Sequence, residues 1–232
     1  RSTLFPYTTL FRSWLTHVGL NVFADPLFTA AYTGVRGGLV IVTADDPQMH
    51  SSQNEQDNRN YAFAAKLPML EPSDPAEARA MMATAYKISE EADAPVLFRT
   101  TARLAHVKGV VMPGQRAPVP EPVLEKDPVK QVMLPARAMK RRQVMAEKWP
   151  RLLALAESLP ENRIEPGQGK RGFVCAGVSY NYVKEAFPDA PVLKLGMVWP
   201  LPERKIRAFA ATVDELVVVS TKIGRASCRE RV

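Results

Sequence analysis

Cysteine is almost missing from this chain. The 232 residues hold two, Cys175 and Cys228, too few for a disulfide framework. Such usage is the pattern of a reducing, cytoplasmic setting. No run of apolar residues approaches the ~18 that a membrane-crossing helix needs. The N-terminal stretch also lacks the apolar core and small-residue cleavage site of a signal peptide. Histidine is scarce: His17, His50 and His106 stand apart, none at the H-x-x-x-H spacing that suits zinc on a helix, so no metal site is expected. What is present is ordinary for a globular protein, with 46% hydrophobic and 24% charged residues. The length suits one large domain or two small ones.

The net charge of +7 suggests a nucleic-acid partner until its distribution is considered. Arg1, Arg12, Lys222, Arg225, Arg229 and Arg231 lie at the two ends, with Glu230 the single acid among them. Between them remain 25 basic and 23 acidic residues, a net of +2, which gives no electrostatic reason to invoke nucleic acid. The ends themselves, RSTLFPYTTLFRS and IGRASCRERV, resemble translated sequencing-adapter readthrough. Residues 1–13 and 220–232 are therefore expected to be artefact and are excluded from fold reasoning.

Hydrophobic periodicity divides the remainder into alternating elements. Residues 18–33 read as helical, in two pieces or kinked at Pro26. Leu39-Val-Ile-Val-Thr43 is a continuous β-branched run, the pattern of a strand covered on both faces. Short elements are expected at 60–66 (helix) and 68–70 (strand). Ser73-Asp-Pro-Ala-Glu77 is a helix start signal, and the stripe Ala78, Met81, Met82, Ala85 and Ile88 carries that helix to about residue 92. A strand follows at 95–101. This alternation predicts an α/β fold with a parallel sheet. The stretch 110–135, rich in proline, reads as a linker. A long helix at 136–158 bears the basic run Lys140-Arg-Arg142, read as a solvated face. A second α/β unit is expected from about 170: strands at 173–178, 192–195 and 216–219, and helices at 180–186 and 203–211. The predicted organisation is thus 14–110, a linker and helix over 111–169, and 170–219. Gly167-Gln-Gly-Lys-Arg-Gly172 matches G-x-G-x-x-G but follows a helix and opens a strand, the reverse of a dinucleotide site, so it reads as a turn. Cys175, in an apolar strand, reads as core.

The loop 44–59 is the most informative segment. It follows the buried strand directly, and ligands of open α/β sheets bind beyond the carboxyl ends of strands. Four acids, a histidine, two serines, several amides and an arginine exceed what a connecting turn requires. Thr16-His-Val-Gly-Leu-Asn21 is a second candidate, because His17 and Asn21 share one helical face.

These segments carry a resemblance. His17-Val-Gly-Leu-Asn21, Ala24-Asp25-Pro26, Tyr32-Thr-Gly34, Gly37-Gly-Leu-Val-Ile-Val42, Ala44-Asp-Asp-Pro47, His50-Ser-Ser-Gln-Asn-Glu-Gln-Asp57, Met69-Leu-Glu-Pro-Ser-Asp-Pro75 and Leu97-Phe-Arg-Thr-Thr101 resemble, in order, the alpha subunit of indolepyruvate:ferredoxin oxidoreductases. The likeness extends over residues 14–219. It implies the later part of a pyrimidine-type thiamine-diphosphate-binding domain, followed by the start of a transketolase-C-terminal-like domain. It also implies oxidative decarboxylation of arylpyruvates with thiamine diphosphate and Mg²⁺, electrons passing through [4Fe-4S] clusters to ferredoxin, and the acyl group passing to coenzyme A. A beta subunit is the implied partner; nucleic acid and membrane are not. The activating glutamate, the G-D-G motif for Mg²⁺ and the cluster cysteines belong to parts absent from this chain, so the chain alone is expected to be inactive and no catalytic residue is assigned in it. By analogy with the family, His17, Asn21, His50, Ser51, Ser52, Gln53 and Asn54 are expected near the substrate and thiazolium, with Arg59 pairing the substrate carboxylate and Asp46, Glu55 and Asp57 holding the loop. The competing readings are another 2-oxo acid:ferredoxin oxidoreductase subunit and a non-catalytic α/β interaction module.

Overall fold

The computed structural model describes residues 14–50, 52–114 and 126–221, with side chains from residue 18 onward. Expectations placed on residues 1–13, Ser51, residues 222–232 and the His17 side chain lie outside the described residues.

In chain order the first elements are β1 (Trp14–Thr16), α1 (His17–Val22), α2 (Ala24–Thr33), β2 (Val40–Asp45), α3 (Arg59–Ala65), β3 (Met69–Leu70), α4 (Pro75–Ala92), β4 (Val96–Thr101) and α5 (Ala102–His106). Then come α6 (Pro128–Gln131), α7 (Pro135–Ser158), β5 (Arg163–Glu165), β6 (Arg171–Ala176), α8 (Ser179–Ala186), β7 (Val192–Leu195), β8 (Met197–Trp199), α9 (Glu203–Ala210) and β9 (Glu215–Val219). They build two sheets, ordered β1-β2-β4-β3-β8 and β5-β7-β6-β9. Most neighbours are parallel; β8 and β5 pair antiparallel at one edge of each sheet. The fold is mixed α/β with mainly parallel sheets.

Strands β2 and β4 are the first sheet's centre, in register from Val40↔Val96 to Asp45↔Thr101. Apolar residues alternate between two core clusters, one on each face. Ile41 and Leu97 meet Leu20, Leu27 and Met69 on one side; Val40, Val96 and Phe98 meet Met81, Ala85 and Ile88 on the other. Each of these Val, Leu, Ile, Met and Phe side chains, fully buried, contributes roughly 1.5–3 kcal/mol. Helix α4 begins as its start signal predicts. Asp74 caps it by accepting from the Glu77 N–H at 2.8 Å, and Pro75 occupies the first turn. It ends at Asp93, which takes the left-handed conformation (φ 47°) usually left to glycine.

Three departures from the sequence reading have local causes. The stretch 18–33 does form two helical pieces, but they part at Phe23 and not at Pro26, which sits in the first turn of α2 where its missing N–H costs nothing. The basic run on α7 is not simply a solvated face. Arg141 is half-buried and donates to the carbonyl oxygens of Tyr32 and Thr33 and to Asp93. Strand β8 lay unrecognised because Met197–Trp199 is short. The chain leaves β7 and enters the other sheet across Gly196, where a Cβ would stand 2.5 Å from that of Glu161. Asn162, buried, accepts there from the N–H groups of Gly196 and Met197.

A second polar lock joins the two sheets. Lys194 on β7, 1% exposed, donates to Ser73 Oγ at 2.7 Å and to Glu77 at the N-terminus of α4. Asn181 adds a hydrogen bond to the Ser73 carbonyl at 2.9 Å. Burial opposes the Glu77 carboxylate, but bonds from Lys194 and Ser73 outweigh it and hold its pKa below the usual range.

Candidate functional site

The loop 46–58 leaves the carboxyl end of β2 and returns at α3. Its base is buried. Asp45, Asp46, Asp57 and Asn58 are each at most 5% exposed, whereas Gln48, Met49, His50, Gln53 and Asn54 form an exposed crest. Gln48 (φ 72°) and Met49 (φ 54°) both take the left-handed conformation. A non-glycine residue held there costs on the order of 1–3 kcal/mol, a cost that surrounding structure must override and one that clusters at functional sites.

The two ends of the loop are held by a buried charge network around Arg99 on β4, 0% exposed. Its Nε donates to Asp45 Oδ2 and its Nη1 to Glu71 Oε1, both at 2.6 Å. The same Asp45 oxygen accepts from the Asn58 backbone N–H at 3.1 Å. One carboxylate oxygen thus fastens both ends of the loop. Within it, Ser52 N–H donates to Asp46 Oδ2 at 3.0 Å and Gln48 N–H to Glu55 Oε1 at 3.5 Å. Asp57 receives Arg59 on both oxygens, at 2.9 and 3.0 Å.

The electrostatics follow from three carboxylates facing one wholly buried guanidinium. Burial disfavours the charged Arg99, but Glu71, Asp45 and Asp57 overcome it and raise its pKa further, so it stays cationic. Asp45 bears the strain: its desolvation raises its pKa, only partly offset by Arg99. Burial also opposes the Asp57 carboxylate, yet the Arg59 guanidinium holds it below the ordinary range.

The two segments singled out by sequence converge. Asn21 on α1 donates to Gln56 Oε1 at 2.8 Å and accepts from the Tyr61 hydroxyl, while Gln56 also donates to Asn54 Oδ1 at 2.8 Å. Asp57 and Arg59 reach a cavity of about 500 Å³ between the sheets, whose walls include Glu71, Cys175, Trp199 and Val218. His50, Ser52, Gln53 and Asn54 lie outside that cavity lining, on the loop. Cys175 is core, its thiol pushed up by burial to about 12. Arg99 was missed as a site residue. A charged residue directly after the apolar run Val96-Leu-Phe98 of a strand expected to be buried was the available signal. Among the described residues no group of three or more His, Cys, Asp or Glu is placed to hold a metal ion. None of the described helices is long and apolar enough to cross a membrane.

No family model matches the chain. The indolepyruvate oxidoreductase subunit IorA of Archaeoglobus fulgidus is 44% identical over 214 residues, covering 88% of this chain and 34% of that protein. The subunit of the same name from Methanothermobacter marburgensis is 42% identical, covering 89% of this chain and 35% of its own length. Among solved structures, a 2-oxoglutarate:ferredoxin oxidoreductase from Magnetococcus marinus superposes with a TM-score of 0.65 at 16% identity, over 88% of this chain and 45% of that one. That second likeness is one of fold. The chain spans about a third of the length of the curated relatives it matches. Sustained at 37–44% identity over nearly nine-tenths of the chain, the likeness makes this protein a homologue, across that third, of the indolepyruvate oxidoreductase IorA subunits.

Proposed function

We propose that this chain is part of the alpha subunit of an oxidoreductase that decarboxylates arylpyruvates such as indolepyruvate to aryl-acetyl-CoA, with ferredoxin as electron acceptor and a beta subunit as partner. In that reading the loop 46–58 is one polar wall of the substrate pocket. The observation that carries the proposal is the loop itself: an exposed crest of hydrogen-bonding side chains, backbone-strained at Gln48 and Met49, on a base buried by the Arg99 network. It stands beyond the carboxyl ends of β2 and β4, where open α/β sheets bind ligands.

His50, Gln53 and Asn54, with the Ser52 hydroxyl, offer donors to a 2-oxo acid and to the charge that develops on its oxygen. Asn21 braces the loop through Gln56. Asp46, Glu55 and Asp57 hold it through the contacts described above. Arg59 keeps its Nη1 edge, which here meets Ser220 Oγ at 3.0 Å, outside its fork with Asp57. That edge is what it can present to a substrate carboxylate. His17 and Ser51 join this set on sequence grounds alone. Thiamine diphosphate, when bound, would supply the decarboxylation chemistry. The donors on the loop fit the acid that the cofactor works on. In this reading, which rests on the family likeness, Mg²⁺ and the [4Fe-4S] centres would be held by other parts of the intact subunit.

The test uses the intact parent alpha subunit produced with its beta subunit. Reduction of ferredoxin or a dye should depend on both indolepyruvate and CoA, and should be weaker with pyruvate or 2-oxoglutarate. Replacing His50 and Asn54 together by alanine should lower kcat/KM for the arylpyruvate by about 100-fold, the scale of losing positioned donors. Unchanged turnover and affinity in that variant would sink the proposal.

A further inference from the structure

We infer that Arg99 is a positioning residue for this loop, setting the crest's geometry through Asp45 without touching substrate. The inference rests on the reading that the crest faces the reacting acid. Arg99 is wholly buried and is not among the residues lining the cavity, so any effect on chemistry must pass through its neighbours. Three observations give it that leverage.

Strand β4 lies between β2 and β3, and Arg99 spans the gap to an acid at the carboxyl end of each: Asp45 on one side, Glu71 on the other. A planar guanidinium can hold two carboxylates at fixed, separate positions; a lysine ammonium is a point charge on a flexible stem. Next, the Asp45 oxygen that Arg99 holds also takes the Asn58 N–H. If that carboxylate turned away, entry and exit of the loop would be released together, and the left-handed strain at Gln48 and Met49 could relax. Finally, the Glu71 arm reaches the second sheet. Glu71 N–H donates to the Gly196 carbonyl at 2.8 Å, and a Cβ on Gly177 would stand 2.3 Å from Glu71 Oε1. The turn after β6 therefore backs the same network that holds the loop. Buried unpartnered atoms surround it among the described residues, namely Arg99 Nη2, Asp45 Oδ1, Glu71 Oε2 and both amide atoms of Asn58. Each orphan group is a desolvation cost that the network's ion pairs must offset, so loosening one pair exposes the arrangement to that cost.

The experiment compares Arg99→Met, Arg99→Lys and Asp45→Asn in the intact alpha subunit with its partner, alongside the His50→Ala/Asn54→Ala double variant. Backbone hydrogen exchange is read at Asn58 and Ser52 in the loop and at Val42 and Phe98 in the sheet. Arg99→Met should speed exchange at the two loop amides by about tenfold or more while leaving the strand amides protected. It should raise KM for the arylpyruvate by about tenfold and leave KM for CoA unchanged. Arg99→Lys should recover part of both effects. Asp45→Asn, nearly isosteric, carries the same expectation should Arg99→Met not fold. Loop exchange equal to wild type would overturn the inference. Uniform acceleration over loop and strands, or equal changes in the two KM values, would also overturn it, since either reports general destabilisation. If the His50/Asn54 variant is fully active, the proposed function falls, yet the Asn58 and Ser52 amides still decide whether Arg99 holds the loop.

Discussion

Exchanging Asp93 for asparagine should remove a charge while leaving the backbone where it is. Asp93 adopts φ 47°, and asparagine, like aspartate, tolerates the left-handed region. The carboxylate gathers three cations. Lys130 and Lys148 each donate at 2.6 Å and Arg141 at 3.3 Å, while the Val35 N–H adds a fourth bond at 2.8 Å. These contacts tie the C-terminus of α4 to α6, to α7 and to the loop after α2. Asp93's side chain is 27% exposed and its partners are less so. A hydrogen bond to a charged group contributes about 1.5–3 kcal/mol net. Three on one carboxylate, discounted for partial exposure and for repulsion among the cations, give an expected loss of about 3 kcal/mol in Asp93→Asn.

Urea denaturation at pH 7 with matched m-values reads that loss directly. Its pH dependence supplies a second check. Burial opposes the charged form of Asp93, but hydrogen bonds from Lys130 and Lys148 outweigh it and lower its pKa below the ordinary 3.8. A carboxylate depressed in the folded state contributes stability above its unfolded pKa and loses it as pH falls through the folded value. The gap between wild type and Asp93→Asn should therefore be full at pH 7 and close below about pH 3.8. A gap under about 0.5 kcal/mol at pH 7, the range of an ordinary surface substitution, would refute the reasoning. So would a gap that persists undiminished in acid.

Gly177→Ala adds a side chain at φ 55°, into space occupied by the Glu71 carboxylate. The left-handed conformation alone costs about 1–2 kcal/mol, so thermal melting should fall by several degrees. An unchanged melting curve for Gly177→Ala would contradict the close approach. Lys194→Met leaves Glu77 without its buried cation and should cost about 3 kcal/mol by denaturant titration. Adding Glu77→Gln should restore much of that; equal stability of the single and double variants would argue against the pair.

Several elements were legible from the amino-acid order because their information is local. The β-branched run after Gly38 becomes β2, the Asp74–Pro75–Glu77 signal starts α4, and Val192–Leu195 emerges as read. Side-chain alternation and capping depend on neighbours within a turn or a strand, so the sequence displays them directly. The polar loop after β2 was visible for the same reason. Its anchor was not. Arg99 meets Asp45 across 54 residues and Glu71 across 28, and Lys194 meets Ser73 across 121. No local period records such pairings; parallel pairing brings the carboxyl ends of β2, β4 and β3 together, and the packing of one sheet on the other brings Lys194 to Ser73. Likewise, Met197–Trp199 carries no mark assigning it to the first sheet instead of the second. The order of residues determined which segments fold as helix or strand and which stretch is chemically rich. Packing alone decided which buried charges meet, because desolvation makes an unpaired charge costly and leaves each one the partner that the sheet order brings within reach.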